Sequence, residues 1–109
     1  MFHYVNLYEI TTYFNRKYWE WDGLSRLGWP QQMKQYNVES GVSHRKGESQ
    51  IFQGGCIYEL GGNVQVVHGP IHRIHQDTGG PGGPYGFPLE RSNADNSEQR
   101  FEGGVIHAN

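Results

Sequence analysis

Gln50-Ile51-Phe52-Gln53-Gly54-Gly55-Cys56-Ile57 returns later in the chain as Gln99-Arg100-Phe101-Glu102-Gly103-Gly104-Val105-Ile106. Upstream of these stretches, Leu27-Gly28-Trp29-Pro30 returns as Tyr85-Gly86-Phe87-Pro88. Both copies run in one order: an aromatic-Pro turn, a variable loop, then Gln-x-Phe-x-Gly-Gly-x-Ile. Two motifs recurring in matching order mark an internal repeat. The loop is longer in the first copy (Gln31 to Ser49) than in the second (Leu89 to Glu98).

Working outward, Phe52 to Leu60 alternates well enough for a strand. Gly61-Gly62 supplies a tight turn that tolerates positive φ. Val64 and Val66 point one way and Gln65 the other, which predicts a half-buried return strand. Gly69-Pro70 then opens a short helix with Pro at its start. Ile71 and Ile74 share its inner face, and Gly79-Gly80 ends it. Each unit therefore reads strand, strand, helix, turn.

At the N-terminus, Asn6 and Glu9 have the spacing of an N-cap and its N3 partner. Leu7, Ile10, Phe14, Tyr18 and Trp21 follow as an apolar stripe at helical spacing, with Gly23 as the stop. Gln99 to His107 reads as a first strand with no return strand after it, while Phe2 to Val5 stands where a return strand belongs. The repeat is thus circularly offset, with residues 8–66 as one unit and 67–109 plus 1–7 as the other. The expectation is a single α+β domain, 1–109, in a pseudo-symmetric, ring-like or propeller-like arrangement. It would be closed by pairing of the terminal strands, within one chain or between two copies. Read more plainly, Phe2 to Val5 is a frayed arm.

The 109 residues carry a net charge of −2, 16 Gly and a single Cys. High glycine with low charge can signal disorder, but 3 Trp, 7 Tyr and 5 Phe supply the apolar surface that disordered chains lack. No apolar run reaches the ~18–20 residues of a membrane span, which excludes membrane insertion by a helix. Met1-Phe2-His3-Tyr4 has neither the basic nor the apolar region of a signal peptide. Without a basic stripe, sequence-independent nucleic-acid binding is not expected. Cys56 alone permits no intrachain disulfide and no Cys-based zinc site.

At these residues the sequence resembles the LGFP repeat family. Ile71, Gly79, Gly80, Gly83, Pro84, Gly86, Phe87 and Pro88 match its pattern, followed by Gln99, Phe101, Gly103, Gly104 and Ile106. The first copy matches at Gly23, Leu27, Gly28, Trp29, Pro30, Phe52, Gly54, Gly55, Ile57, Val67, Gly69 and Ile71. His75 stands where the helical Trp is usual, as does Tyr18 or Trp19 in the first copy, and Tyr85 replaces the name-giving Leu. The resemblance implies a non-catalytic, extracellular or cell-envelope module that binds cell-wall polysaccharide. With two copies only, it also implies a homodimer or higher homo-oligomer. The second reading is a protein–protein interaction or structural module without a sugar ligand.

A sugar site needs an aromatic platform for the ring face and amides or carboxylates for the hydroxyl rim. The ligand-binding candidates are Trp19, Trp21, Asp22, Tyr58, Glu59, Asn63, Gln65 and Tyr85, with Gln53 and Glu102 as further polar partners. Trp29 and Phe87 could also be platforms, but the repeat retains them together with Phe52 and Phe101, as core anchors would be retained. Trp19 falls off the apolar stripe and is the best placed for exposure.

His68, His72 and His75 have a spacing that can hold zinc on a helix. The helix begins after His68, however, and only Asp77 accompanies them, so no metal site is expected. Val105 replaces Cys56 in the second copy, which marks a small apolar position rather than a nucleophile. The glycine-rich run at 78–84 lacks the Lys of a phosphate-binding loop and loses donors to its prolines. No enzyme activity and no cofactor are expected.

Overall fold

A computed structural model describes residues 8–108. Strand by strand, the chain is an α+β fold with helices α1 (Thr12–Glu20), α2 (Gly23–Arg26) and α3 (Gly69–Asp77). Strands β1 (Gln35–Glu39), β2 (Lys46–Ile51), β3 (Gly55–Leu60) and β4 (Asn63–His68) form an antiparallel sheet in the order β1-β2-β3-β4. β5 (Glu98–Phe101) and β6 (Gly104–His107) form a separate hairpin. Among the described residues the strands form no closed barrel or propeller. The expected strand Phe2 to Val5 and the cap Asn6 lie outside the described residues. No helix among those residues is long and apolar enough to cross a membrane.

Several sequence expectations change. The run from Phe52 to Leu60 is not one strand, because Phe52 leaves the ladder to pair with Pro30. Gln53 N–H donates to Trp29 O at 3.1 Å and Gly54 N–H to Leu27 O at 2.8 Å. The aromatic-Pro turn thereby bends the chain between β2 and β3. The run Gln99 to His107 splits into β5 and β6 in the same way: Pro88 pairs with Phe101, and Glu102 N–H donates to Phe87 O at 3.0 Å. Gly54 and Gly103 thus occupy turns, while Gly55 and Gly104 start strands. The Gln-x-Phe-x-Gly-Gly-x-Ile motif is a hairpin.

The long variable loop, Gln31 to Ser49, contains β1 and most of β2. β1 shows no alternation because only Val38 is half-buried, and a bulge interrupts its register between Gln35 and Val38, with Asn37 at φ 56°. Helix α1 begins at Thr12, not near Asn6. Ahead of it, Glu9 O accepts from Gln50 Nε2 at 3.0 Å and Thr11 Oγ1 from Lys34 Nζ at 2.9 Å. Those two anchors hold Glu9 and Thr11 against the sheet instead of in a first helical turn.

Gly23, read as the stop of the first helix, instead opens α2, since α1 ends at Glu20 and Asp22 takes a left-handed φ of 54°; the other turn signals act as read. Gly61 and Gly62, both at positive φ, join β3 to β4 with Leu60 opposite Asn63. Pro70 lies in the first turn of α3, and Gly79, at φ 108°, ends the helix just after Thr78, whose hydroxyl donates to Ile74 O at 2.9 Å.

Packing follows from β3, which is buried along almost its whole length. Its alternation divides two cores. Cys56, Tyr58 and Leu60 join Val67, Ile71, Phe87, Phe101 and Ile106 in one cluster. Ile57 joins Phe14, Tyr18, Leu27, Phe52 and Val66 in the other. One core therefore carries α1 with the first aromatic-Pro turn, and the other carries α3 with the second.

Candidate functional site

The two aromatic-Pro turns are held by matching contacts. Gly28 and Gly86 have φ of 75° and 69°, a region that favours glycine. Tyr18 OH donates to Gly28 O at 2.7 Å, and His75 Nε2 donates to Gly86 O at 2.8 Å. Gln53 Oε1 accepts from Trp29 N–H and Glu102 Oε1 from Phe87 N–H, both at 2.9 Å. His75 thus does the work of a helical aromatic donor: a ring N–H reaches the same carbonyl that the Tyr18 hydroxyl reaches. Its Nδ1 faces Tyr58 OH at 3.3 Å, and Gln76 Nε2 donates to that hydroxyl at 3.0 Å.

The turns differ in charge and cover. Ser40 Oγ donates to Glu102 Oε1 at 2.6 Å. Burial works to raise the Glu102 carboxyl, but hydrogen bonds from Phe87, Ser40 and Ser43 and the Arg45 charge outweigh it and leave it lowered. Phe52, Phe87 and Phe101 are buried anchors, whereas Trp29 is 39% exposed. Phe87 lies beneath the backbone of Gly47 and against Tyr58, and it is fully buried. Trp29, although expected as an anchor by its repeat position, stands on the surface.

The ligand-binding candidates do not form one site. Trp19 is 57% exposed, and its only side-chain hydrogen bond among the described residues runs from Nε1 to Asn15 Oδ1 at 3.1 Å. Tyr58 cannot be a platform, because its ring is buried and its hydroxyl is engaged by His75 and Gln76. Tyr85 is half-buried against Phe101. Glu59 Oε2 accepts from Gly62 N–H at 2.7 Å. Asn63 accepts from Gln65 Nε2 at 2.8 Å and donates to Leu89 O at 3.0 Å, so these two amides serve each other and the loop.

Trp21 and Asp22 line an open cleft of about 530 Å³ with Glu20, Arg26, His68, Arg91 and the 92–96 loop. Trp21 is half-buried, with its ring 5.2 Å from that of His68. The Arg91 guanidinium lies 4.7 Å and that of Arg26 6.0 Å from the Trp21 ring centre. Arg26, His68 and Arg91 are the residues that sequence reasoning missed as cleft residues. Arg91 belongs to the variable loop, which Asn96 Nδ2 ties to His68 O at 2.9 Å and Asn93 Oδ1 folds by accepting from Ser97 and Glu98 N–H. The Asn93-to-Ser97 spacing was the available signal for that turn.

The histidines do not assemble as ligands. His75 uses both ring nitrogens in the core, and His68 packs on Trp21. Among the described residues no group of three His, Cys, Asp or Glu side chains is placed to hold a metal ion. Cys56 is fully buried, and burial pushes its thiol up to about 12, far from a reactive thiolate.

Burial lowers all three imidazoles below the ordinary 6.5; the Arg26 charge adds to it at His68, and the other two histidines and Arg73 add to it at His72, which falls to about 4. A group that binds its proton less readily when folded costs stability as pH drops from the unfolded value towards the folded one. Stability should therefore be level between about pH 6.5 and 9, decline steadily towards pH 4, and decline again above 9 as an unfolded Cys56 thiol ionises where the buried one does not. Glu102, lowered from 4.5, extends the acid decline below pH 4. Thermal melts across this range check it, and His72→Gln should flatten the slope between 6.5 and 4. No family model matches this sequence, and no curated protein matches it.

Proposed function

We propose that the chain is a non-catalytic glycan-binding module of two circularly offset LGFP-type repeats, residues 8–66 and 67–109 with 1–7, acting at a cell envelope. The matching contacts of Gly28 and Gly86 support the repeat reading, since the same donors and acceptors recur around both. Gln50 and Gln99 extend the match: the first donates to Glu9 O and Gln32 O, the second to Val66 O and Glu90 O. Glu9 therefore stands to its hairpin as Val66 of β4 stands to the other. That correspondence supports closure of the repeat by the segment before Glu9, in one chain or between two copies. Light scattering on the purified chain separates those two forms.

Trp19 carries the functional reading. Its indole is 57% exposed at the end of α1, edge-on to the Tyr18 ring at 5.2 Å, and the residues that follow it, Glu20, Trp21 and Asp22, line the cleft. An apolar face beside hydroxyl-binding groups is what a pyranose ring requires. Repeated sites on a polymer would add avidity to a weak single contact. Immobilised cell-wall polysaccharide should retain the protein, and Trp19→Ala should abolish retention while leaving the circular-dichroism spectrum unchanged. Failure to bind any glycan would overturn the reading.

A protein partner is the second reading, favoured by a separate surface. Tyr13 and Met33 are both 67% exposed and Tyr36 is 59% exposed, with Lys34 Nζ 5.4 Å from the Tyr36 ring centre.

A further inference from the structure

We propose that the Trp21 cleft receives the negatively charged group of an anionic glycan, a sugar carboxylate or a sugar phosphate, held by Arg26 and Arg91. This rests on the glycan reading above and specifies the ligand class.

Trp21 is a poor sugar platform. Its ring is half-buried, meets His68 on one side and carries the Arg91 guanidinium at stacking distance. Stacking holds a guanidinium by its face and leaves the in-plane N–H donors to other partners. Arg26, close to the same ring, adds a second cation. Among the described residues neither arginine has a carboxylate within ion-pair distance at the cleft, whereas Glu20 beside them is taken by Lys17 at 3.0 Å.

Two side-chain amides around the cleft are already committed. Asn96 Nδ2 holds His68 O, and Asn93 Nδ2 holds Ser97 Oγ at 3.0 Å. The two guanidiniums are its cationic donors, neither hydrogen-bonded through its side chain among the described residues, and they suit planar carboxylate and phosphate oxygens. Glu20 and Asp22 on the same wall are acceptors, which match hydroxyl groups and repel a bare anion. A ligand with both an anionic group and hydroxyls fits this combination, and an acidic sugar has both.

Isothermal titration with a trigalacturonate, a neutral galactotriose, glucose 6-phosphate and inorganic phosphate tests the proposal. Arg26 and Arg91 are exposed, so Arg26→Gln and Arg91→Gln should fold normally. One of the two charged sugars should bind about tenfold or more tighter than the neutral trisaccharide. That advantage should vanish in Arg91→Gln and shrink with added salt. The charged sugar that binds better identifies which anionic group the cleft takes. If galactotriose binds as well as either charged sugar and Arg91→Gln changes nothing, the anionic proposal fails while the glycan reading stands. If no saccharide binds, both fail. If inorganic phosphate binds as tightly as glucose 6-phosphate, the cleft is an anion site and not a sugar site.

Discussion

Phe101→Ala should lower the unfolding free energy by about 3–5 kcal/mol, the range for deleting a buried aromatic ring. Phe101 is 1% exposed and lies 4.6 Å from the His75 ring and 6.2 Å from Tyr85, measured between centres. Its backbone pairs with Pro88, so the residue joins the β5–β6 hairpin to the second aromatic-Pro turn. The cavity left behind cannot easily collapse, because His75 is fixed at both nitrogens by Gly86 O and Tyr58 OH. The loss should therefore fall in the upper part of that range. Met33→Ala, at a residue 67% exposed, should change little. Denaturant titration of the two variants beside the parent checks the contrast.

Gly86→Ala should be nearly as damaging, at about 3 kcal/mol, though it adds only a methyl group. The residue has φ 69°, where a side chain costs roughly 1–2 kcal/mol. The new Cβ would also lie 2.5 Å from Glu102 Oε1 and 3.1 Å from Ser40 Oγ. Moving that carboxylate breaks its bonds from Phe87 N–H and Ser40, and hydrogen bonds to a charged group are worth about 1.5–3 kcal/mol. Gly28→Ala should cost less, since its Cβ would meet Gln53 Oε1 at 2.5 Å, a neutral amide on an exposed, flexible side chain. Gly62→Ala should cost least: its φ is 88°, but nothing lies within 4 Å. Melting temperatures in the order Gly62→Ala, Gly28→Ala, Gly86→Ala, highest first, would show that the Glu102 lock sets the ranking.

Local chemistry made part of this fold legible. Gly61-Gly62 and Gly69-Pro70 are short-range signals, and each produces its element from neighbouring residues. The error at Phe52 has a long-range cause. Alternation continues through Phe52 and Gly55, but backbone groups of Trp29 and Leu27, more than twenty positions away, draw Gln53 and Gly54 out of the ladder. Strand β1 was missed because its side chains are mostly exposed and no period marks it.

The candidate site divides along the same line. Trp19 could be read as exposed from its place off the helical stripe, and it is. Tyr58 could not be told from a platform, since an aromatic in an alternating strand belongs to whichever face the sheet covers, and both faces of β3 are covered. Arg91 was invisible as a site residue because only the Asn93 turn and the Asn96 bond to His68 O bring its loop to Trp21.

Backbone amide chemical shifts, followed while a cell-wall polysaccharide fragment is titrated in, test the glycan reading most directly. Saturable shifts are expected at Trp19 to Asp22, Arg26, His68 and residues 91–96, with the Tyr13, Met33 and Tyr36 surface unmoved. An unchanged spectrum with every fragment, or shifts confined to the Tyr36 surface, would contradict it.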